Sequence, residues 1–146
     1  MYHYTESGLD YIWLVNGYEE VNTSYGEGVG VHNVEGLHQS IGLHIVQNRP
    51  HLTGAEIRFL RTYLEMSQAE LAKLLGVGDT SIRNWESGRG DIGNPADRLL
   101  RLLFVDHTCG DGTTRELVSR IADMNRDQYH EDLRFAEEDE QWSAAA

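Results

Sequence analysis

Cysteine, basic side chains and long apolar runs are all scarce in this chain of 146 residues. The one cysteine, Cys109, excludes an internal disulfide and a zinc knuckle made of Cys-x-x-Cys pairs. No run approaches the roughly 18 apolar residues that a membrane span needs. Residues 1–10 also lack the basic and then apolar order of a signal peptide. We therefore expect a cytoplasmic protein without a membrane partner.

Basic charge is unevenly placed as well as scarce. Lysine and arginine number 12 against 24 aspartates and glutamates, so the formal net charge is -12. This total opposes binding to nucleic acid. However, residues 50–105 contain seven basic and seven acidic side chains, so the excess lies in residues 1–49 and 106–146. The acidic flanks are either solvated surface or a means of keeping nonspecific binding to DNA weak.

The pattern in residues 1–49 predicts a small α+β unit. Residues 11–15 are β-prone and precede Asn16-Gly17, a strong signal for a tight hairpin turn with residues 18–22 as the returning strand. The glycine-rich residues 25–31 lack the spacing of a phosphate-binding loop and indicate a turn and a short strand. Apolar residues then recur every four positions, which predicts one helix that ends before Arg49-Pro50.

Patterns typical of metal-binding and catalytic sites are missing. His32, His38 and His44 are spaced by six residues, which does not place them on one helical face. Residues 106–112 lack the alternating oxygen ligands of a calcium loop. No serine, cysteine or histidine has the sequence context of an activated nucleophile. We expect no metal, no cofactor and no catalytic residue, and hence a protein that is not an enzyme.

Five helices are predicted between residues 53 and 130. Four of them begin with an oxygen-bearing cap and an acidic residue three positions on, which satisfies the free N–H groups of a first turn. These pairs are Thr53 and Glu56, Ser67 and Glu70, Asn94 and Asp97, and Thr113 and Glu116. The remaining, third helix opens near Gly78 or Asp79 and closes at Gly88. The other predicted spans are residues 54–65, 68–75, 94–105 and 114–129, with a loop at residues 106–113.

The third predicted helix has one apolar and one polar face. Val77, Ile82 and Trp85 are expected to hold it against the two helices before it. The opposite face carries side chains that can hydrogen-bond to base edges or phosphates. They are Thr80, Ser81, Arg83, Asn84 and Ser87.

Two segments carry a specific resemblance. Residues 67–77, SQAELAKLLGV, and residues 82–89, IRNWESGR, resemble the Xre (Cro/CI-repressor-like) helix-turn-helix family over about residues 52–104. The resemblance implies a mainly α fold. The fold class is a five-helix lambda-repressor-like helix-turn-helix fold, in which the DNA-binding domain takes residues 50–105. A small N-terminal α+β module is expected at residues 1–49, and a C-terminal helix, the fifth, with an acidic tail at residues 106–146.

The same resemblance implies roles for individual residues. Gln68 would touch a phosphate, and Asp79, Thr80, Arg83 and Asn84 would enter the major groove. Asp79 would either accept from a cytosine amine or cap the helix. The rest of the expected set is Ser81 on the same face, Arg89 as a second phosphate contact, and a structural ion pair between Arg61 and Glu86.

The implied function is a sequence-specific DNA-binding transcriptional regulator, which acts as a homodimeric autorepressor on a palindromic stretch of double-stranded DNA. A weaker resemblance links the order of parts to the MqsA-like (YgiT-type) antitoxins, although residues 1–51 have none of that family's zinc-binding cysteines. The alternative is therefore an antitoxin whose N-terminal module binds a toxin protein. Its aromatic residues would form either the core of the module or a partner surface. They are Tyr2, Tyr4, Tyr11, Trp13, Tyr18 and Tyr25.

The C-terminal segment leaves two possibilities open. Leu117, Ile121 and Met124 recur at spacings of four and three, so the last helix either completes the core or pairs with its copy in a dimer. Residues 137–140 and 144–146 indicate a disordered acidic end.

Overall fold

The computed structural model describes residues 1–124 and 132–145, which are mainly helical and include three small antiparallel strand pairs. The strands are β1 (Tyr2–His3), β2 (Trp13–Leu14), β3 (Tyr18–Thr23), β4 (Gly26–Val31), β5 (Phe135–Glu138) and β6 (Gln141–Ala144). The helices are α1 (Val34–Asn48), α2 (Gly54–Tyr63), α3 (Gln68–Leu75), α4 (Asp79–Glu86), α5 (Asn94–Cys109) and α6 (Thr113–Asp123). No helix in these two ranges is long and apolar enough to cross a membrane.

The strands of the N-terminal unit pair differently from the prediction. β2 pairs with β1, with Leu14 opposite Tyr2, whereas β3 pairs with β4, with Tyr18 opposite Val31. The predicted hairpin across Asn16-Gly17 is therefore wrong. Gly17 adopts a φ of 81°, and its carbonyl accepts a hydrogen bond from His32 at 2.9 Å, which directs the following strand toward β4. Leu14 is buried, so β2 turns toward the core beside β1.

Helix α1 has the predicted extent and packs closely against α5. The side chain of Asn33 caps its first turn by accepting from the Gly36 N–H at 3.2 Å. Gly42 lies against the ring of Phe104, and a Cβ atom added there would be 2.1 Å from that ring. Glycine is therefore needed at this point of contact, and the small residue lets the two helices approach.

Two of the predicted caps have the expected geometry. Thr53 and Glu56 form a reciprocal capping box at the start of α2, with the Thr53 N–H donating to Glu56 Oε1 at 2.9 Å. Ser67 Oγ accepts from the Glu70 N–H at 3.0 Å at the start of α3. The helices that follow meet in one core. Its fully buried members include Leu60, Leu71, Ile82 and Leu100 from α2, α3, α4 and α5.

The other two predicted caps are wrong. Helix α5 begins after Gly93 and α6 after Gly112, and neither Asn94 nor Thr113 caps its helix through a side chain. At the start of α6, aspartates that precede the helix in the chain satisfy two of the free N–H groups instead. Asp111 Oδ1 accepts from the Thr113 N–H and Asp106 Oδ2 from the Arg115 N–H, each at 3.1 Å.

The C-terminal elements also differ from the predicted spans. Helix α5 continues to Cys109, so the first half of the predicted loop at residues 106–113 is helical. Helix α6 ends at Asp123, and the predicted continuation over residues 125–129 lies outside the described residues. Strands β5 and β6 form a hairpin in place of the predicted disordered end, with positive φ angles at Asp139 and Glu140 in its turn. These two angles suit the tight hairpin turns that match the twist of paired strands.

Candidate nucleic-acid interface

Helices α3 and α4 are joined by a sharp turn that exposes one side of α4. Gly76 ends α3 with a φ of 71°, a conformation that glycine adopts without strain. The Val77 N–H donates to the Ala72 carbonyl at 3.0 Å and closes the turn. Ile82 is fully buried against the core, whereas Thr80 and Arg83 on the other side of α4 are exposed.

An open groove of about 620 Å³ lies beside this exposed side. Its lining residues come from α2, α3, α4 and the segment after α4. They are Arg58, Arg61, Gln68, Thr80, Arg83, Asn84, Glu86, Ser87 and Arg89. Among these described residues, four arginines face one glutamate, although acidic side chains outnumber basic ones two to one in the whole chain. A cleft lined by one sign of charge concentrates ions of the opposite sign, so the groove suits a polyanion.

The structure brings together five of the seven residues predicted to contact DNA. Gln68, Thr80, Arg83, Asn84 and Arg89 line the groove. The other two, Asp79 and Ser81, are not among its lining residues.

Asp79 and Ser81 both lie in the first turn of α4. The predicted cap at Asp79 is wrong, because Gly78 is the N-cap and no side chain caps this helix. The Asp79 carboxylate instead accepts from Arg83 Nη1 at 3.2 Å, while Arg83 Nη2 donates to Thr80 Oγ1 at 3.0 Å. A carboxylate in a first helical turn also interacts favourably with the helix dipole. Ser81 is half-buried.

Arg61 and Glu86 form a two-pronged ion pair at the back of the groove. Arg61 Nε donates to Glu86 Oε2 at 2.8 Å and Nη2 to Oε1 at 2.9 Å. Nη1 of the same guanidinium donates to the Met66 carbonyl at 2.9 Å. The two side chains are only 15% and 6% exposed, so water screens the pair weakly. The pair joins α2 to the last turn of α4.

Gly54 forms a second close contact between α2 and α4. A Cβ atom at this position would lie 2.3 Å from the Trp85 carbonyl oxygen and 2.8 Å from that of Glu86. The absence of a side chain therefore lets the first turn of α2 touch the backbone at the end of α4. This contact and the Arg61–Glu86 pair together set the position of α4.

Arg58 is the groove residue that the sequence reasoning missed. It is exposed on α2, three positions before Arg61, and it lines both the groove and an adjoining cavity of about 560 Å³. Residues three apart share one side of a helix. The spacing from Arg61, whose position was predicted, could have identified Arg58 from the sequence.

Two of the three evenly spaced histidines contact different partners. His32 Nε2 is 3.3 Å from Glu19 Oε1, and His38 Nε2 is 2.7 Å from the Tyr4 hydroxyl. Burial lowers the pKa of His38 below its ordinary value, so the neutral ring is favoured. Within residues 1–124 and 132–145, no group of three or more His, Cys, Asp or Glu side chains is placed to hold a metal ion.

Comparison with known families agrees with this geometry. The model of the family described as helix-turn-helix matches residues 57–104, about a third of the chain. Residues 57–104 form a helix-turn-helix domain. This confirms that the middle segment contains a helix-turn-helix, and the presence of this domain, which is generally found in non-enzymatic DNA-binding regulators, indicates a DNA-binding regulator. Searches of curated proteins and of solved structures gave no match.

Proposed function

We propose that the protein is a sequence-specific DNA-binding transcriptional regulator that inserts α4 into the major groove. The observation that carries this proposal is the basic groove beside the exposed side of α4, in a chain that is otherwise strongly acidic. Bulk positive charge does not supply affinity here, so a few placed contacts must do so.

The lining residues divide by chemistry into two groups. Arg83 and Asn84 can each make two hydrogen bonds to one base, arginine to guanine and asparagine to adenine, and the Thr80 hydroxyl can bond to either. Gln68, Arg58 and Arg89 surround α4 and suit phosphate contacts. In the free protein, Asp79 orients the Arg83 guanidinium through their 3.2 Å contact.

The regulator acts as a dimer on a palindromic operator, and it represses its own gene. One α4 helix contacts only a few base pairs, whereas two copies related by a two-fold axis read two half-sites about one helical turn apart. This doubling is the way in which a small domain with few base contacts reaches useful specificity.

A second candidate, an antitoxin, is favoured by aromatic side chains of the N-terminal unit. Trp13 is 55% exposed and Tyr25 is fully exposed at the β3–β4 turn, whereas Tyr4 is buried. Exposed aromatic residues are common in protein-binding surfaces. A toxin protein bound at this surface would leave the α4 groove free for DNA. This candidate would be supported if the protein co-purified with the growth-arresting product of a neighbouring gene. Changing Trp13 and Tyr25 to serine should abolish that co-purification.

The DNA-binding proposal is tested by gel-shift titration of the protein's own promoter. We expect Arg83→Ala with Asn84→Ala to weaken operator binding by about 100-fold, because each two-pronged base contact contributes about 1–3 kcal/mol of discrimination. Arg98→Ala is the matched control, since Arg98 is exposed on α5 and does not line the groove. Unchanged affinity in the double variant would show that α4 is not the reading element.

A further inference from the structure

Three apolar side chains at α6 are turned away from the rest of the chain, whereas Val118 is half-buried. Leu117, Ile121 and Met124 are 47%, 54% and 58% exposed. The half-buried positions Arg115 and Ser119 lie on nearly the opposite side of the helix and face the rest of the chain. None of the 11 residues of α6, all of which the structure describes, is buried. A helix that completes a core has the reverse orientation.

Contacts at both ends of α6 hold it in this orientation. At its start, the Arg115 N–H donates to Asp106 Oδ2 on α5 at 3.1 Å. At its end, Asp123 Oδ1 lies 2.5 Å from Lys73 Nζ on α3. Turning the apolar residues toward the core would break the second contact and would expose the half-buried side of the helix.

Leu102 on α5 extends the exposed apolar surface. It is 60% exposed and lies one helical turn before Asp106, whose carboxylate contacts α6. Residues four apart share one side of a helix, so Leu102 lies on the side of α5 that meets α6. We call the surface formed by Leu102, Leu117, Ile121 and Met124 the α6 stripe.

We propose that the α6 stripe is the dimer interface, against which α6 of a second copy packs in the antiparallel direction. The proposal rests on the proposed function, since a palindromic operator needs two copies. A two-fold interface uses the same surface on both partners. With the axis near the level of Ser119, Leu117 of one copy lies opposite Ile121 of the other.

Charge complementarity identifies the partner as a second copy. Glu116 and Arg120 are exposed and lie on the same flank of the apolar residues, four positions apart. In an antiparallel two-fold pair, this flank of one α6 helix faces the same flank of the other. Arg120 of each chain therefore lies near Glu116 of the other, and the dimer gains two symmetric ion pairs at the rim of the apolar contact.

The α6 stripe leaves the proposed DNA groove open. Gln68, at the start of α3, lines the groove, whereas Lys73, in the last turn of α3, contacts α6. The stripe and the groove therefore lie toward opposite ends of α3. Each copy in the dimer keeps its α4 accessible.

Sedimentation velocity on the full chain without DNA tests the interface. We expect the wild type to be a dimer, and Leu117→Glu with Ile121→Glu to raise the dissociation constant at least about 100-fold. Val15→Glu with Val21→Glu is the control, because these valines are also exposed but lie in the N-terminal unit. It should remain a dimer. Circular dichroism checks the fold, which the α6 changes should leave intact because no α6 residue is buried.

A charge exchange makes the test specific to the antiparallel arrangement. Glu116→Arg alone should weaken the dimer by repulsion from Arg120 of the other copy, and adding Arg120→Glu should restore it. A monomeric wild type, or a glutamate double variant that stays dimeric, would overturn the interface. Operator binding by a monomer would reject the interface and the dimeric mode of action, but would leave DNA recognition by α4 standing. A dimer that fails to bind any operator would reject the function instead.

Discussion

Arg61 connects the stability of the helix-turn-helix domain to the shape of its groove. Its guanidinium donates to both Glu86 oxygens and to the Met66 carbonyl, so it fixes α2, the end of the α2–α3 turn and the end of α4 together. A lysine at this position would keep the charge but would lose the planar set of donors that makes these three contacts possible.

We therefore expect Arg61→Lys to lower the free energy of unfolding by about 2–3 kcal/mol, since it disrupts a largely buried ion pair. Operator affinity should fall as well, because the end of α4 loses its anchor. Urea denaturation and gel-shift titration measure the two effects, with Arg98→Lys as the surface control. A variant as stable as the wild type would mean that the pair contributes no net stability.

The position of a single residue could be predicted where a motif fixes its place on a helix. The motif placed Gln68, Arg83 and Asn84 in the groove, because the turn after Leu75 and the apolar Ile82 determine which side of α4 is exposed. It failed at Asp79, since a capping side chain and a first-turn side chain have the same signature in sequence. Only the backbone conformation at Gly78 decides between them.

At the scale of elements, the buried carboxylate of Glu56 joins the N-terminal unit to the first helix of the domain. Glu56 is fully buried and completes the capping box of α2. Its Oε2 also accepts from the Tyr11 hydroxyl at 2.5 Å and lies 3.2 Å from Arg49 Nε. The Arg49 guanidinium in turn lies 4.3 Å from the centre of the Tyr11 ring. The buried carboxylate is thus paired with one cation, Arg49, and receives hydrogen bonds from Tyr11 and from the Thr53 N–H.

We expect Tyr11→Phe to lower the free energy of unfolding by about 1–2 kcal/mol at neutral pH, because it removes one donor to a buried carboxylate. Burial and the hydrogen bond to Glu56 raise the pKa of Tyr11 to about 12 in the folded protein, against 10.0 ordinarily. The tyrosine's contribution is therefore fully present below pH 10 and is lost as the pH rises toward 12.

Urea denaturation of both proteins at pH 8 and pH 11 measures this dependence. The stability advantage of the wild type should shrink between these two pH values. Tyr25→Phe is the control, since the Tyr25 side chain is fully exposed. A constant difference between wild type and Tyr11→Phe across this range would contradict the link between Tyr11 and Glu56.

Helices were more predictable than strand pairing, for a physical reason. A helix closes its hydrogen bonds within one segment, so the period of apolar residues and a capping box mark it locally. Strand pairing depends on distant residues. The Asn16-Gly17 sequence strongly predicted a hairpin between the segments on either side of it. However, β2 pairs with β1, which lies 11 residues earlier in the chain, and burial of Leu14 favours that pairing. Nor could spacing alone tell which side of α6 would face the core.

At the scale of the whole molecule, the distribution of charge predicts how binding responds to salt. Each phosphate neutralised by an arginine releases counterions, so affinity falls as salt rises. We expect Arg58→Ala with Arg89→Ala to reduce the slope of log K against log salt by about two, and to weaken operator and unrelated duplexes alike. Arg83→Ala should instead relax preference at particular base pairs.

Fluorescence anisotropy with an operator and a scrambled duplex, each over a series of salt concentrations, separates these effects. Arg98→Ala should leave the slope unchanged, because Arg98 lies outside the groove. If Arg58→Ala with Arg89→Ala keeps the wild-type slope, the two arginines do not touch phosphates. Other residues would then have to supply the phosphate contacts.

The contact between Tyr11 and Glu56 also bears on how such a gene can evolve. A recombination event that moved residues 52–104 alone into another protein would leave Glu56 buried without its tyrosine and arginine partners. The transplanted segment would therefore be less stable than it is beside Tyr11 and Arg49. We therefore expect the N-terminal unit and the helix that follows it to be inherited together, because their contact at Glu56 stabilises both.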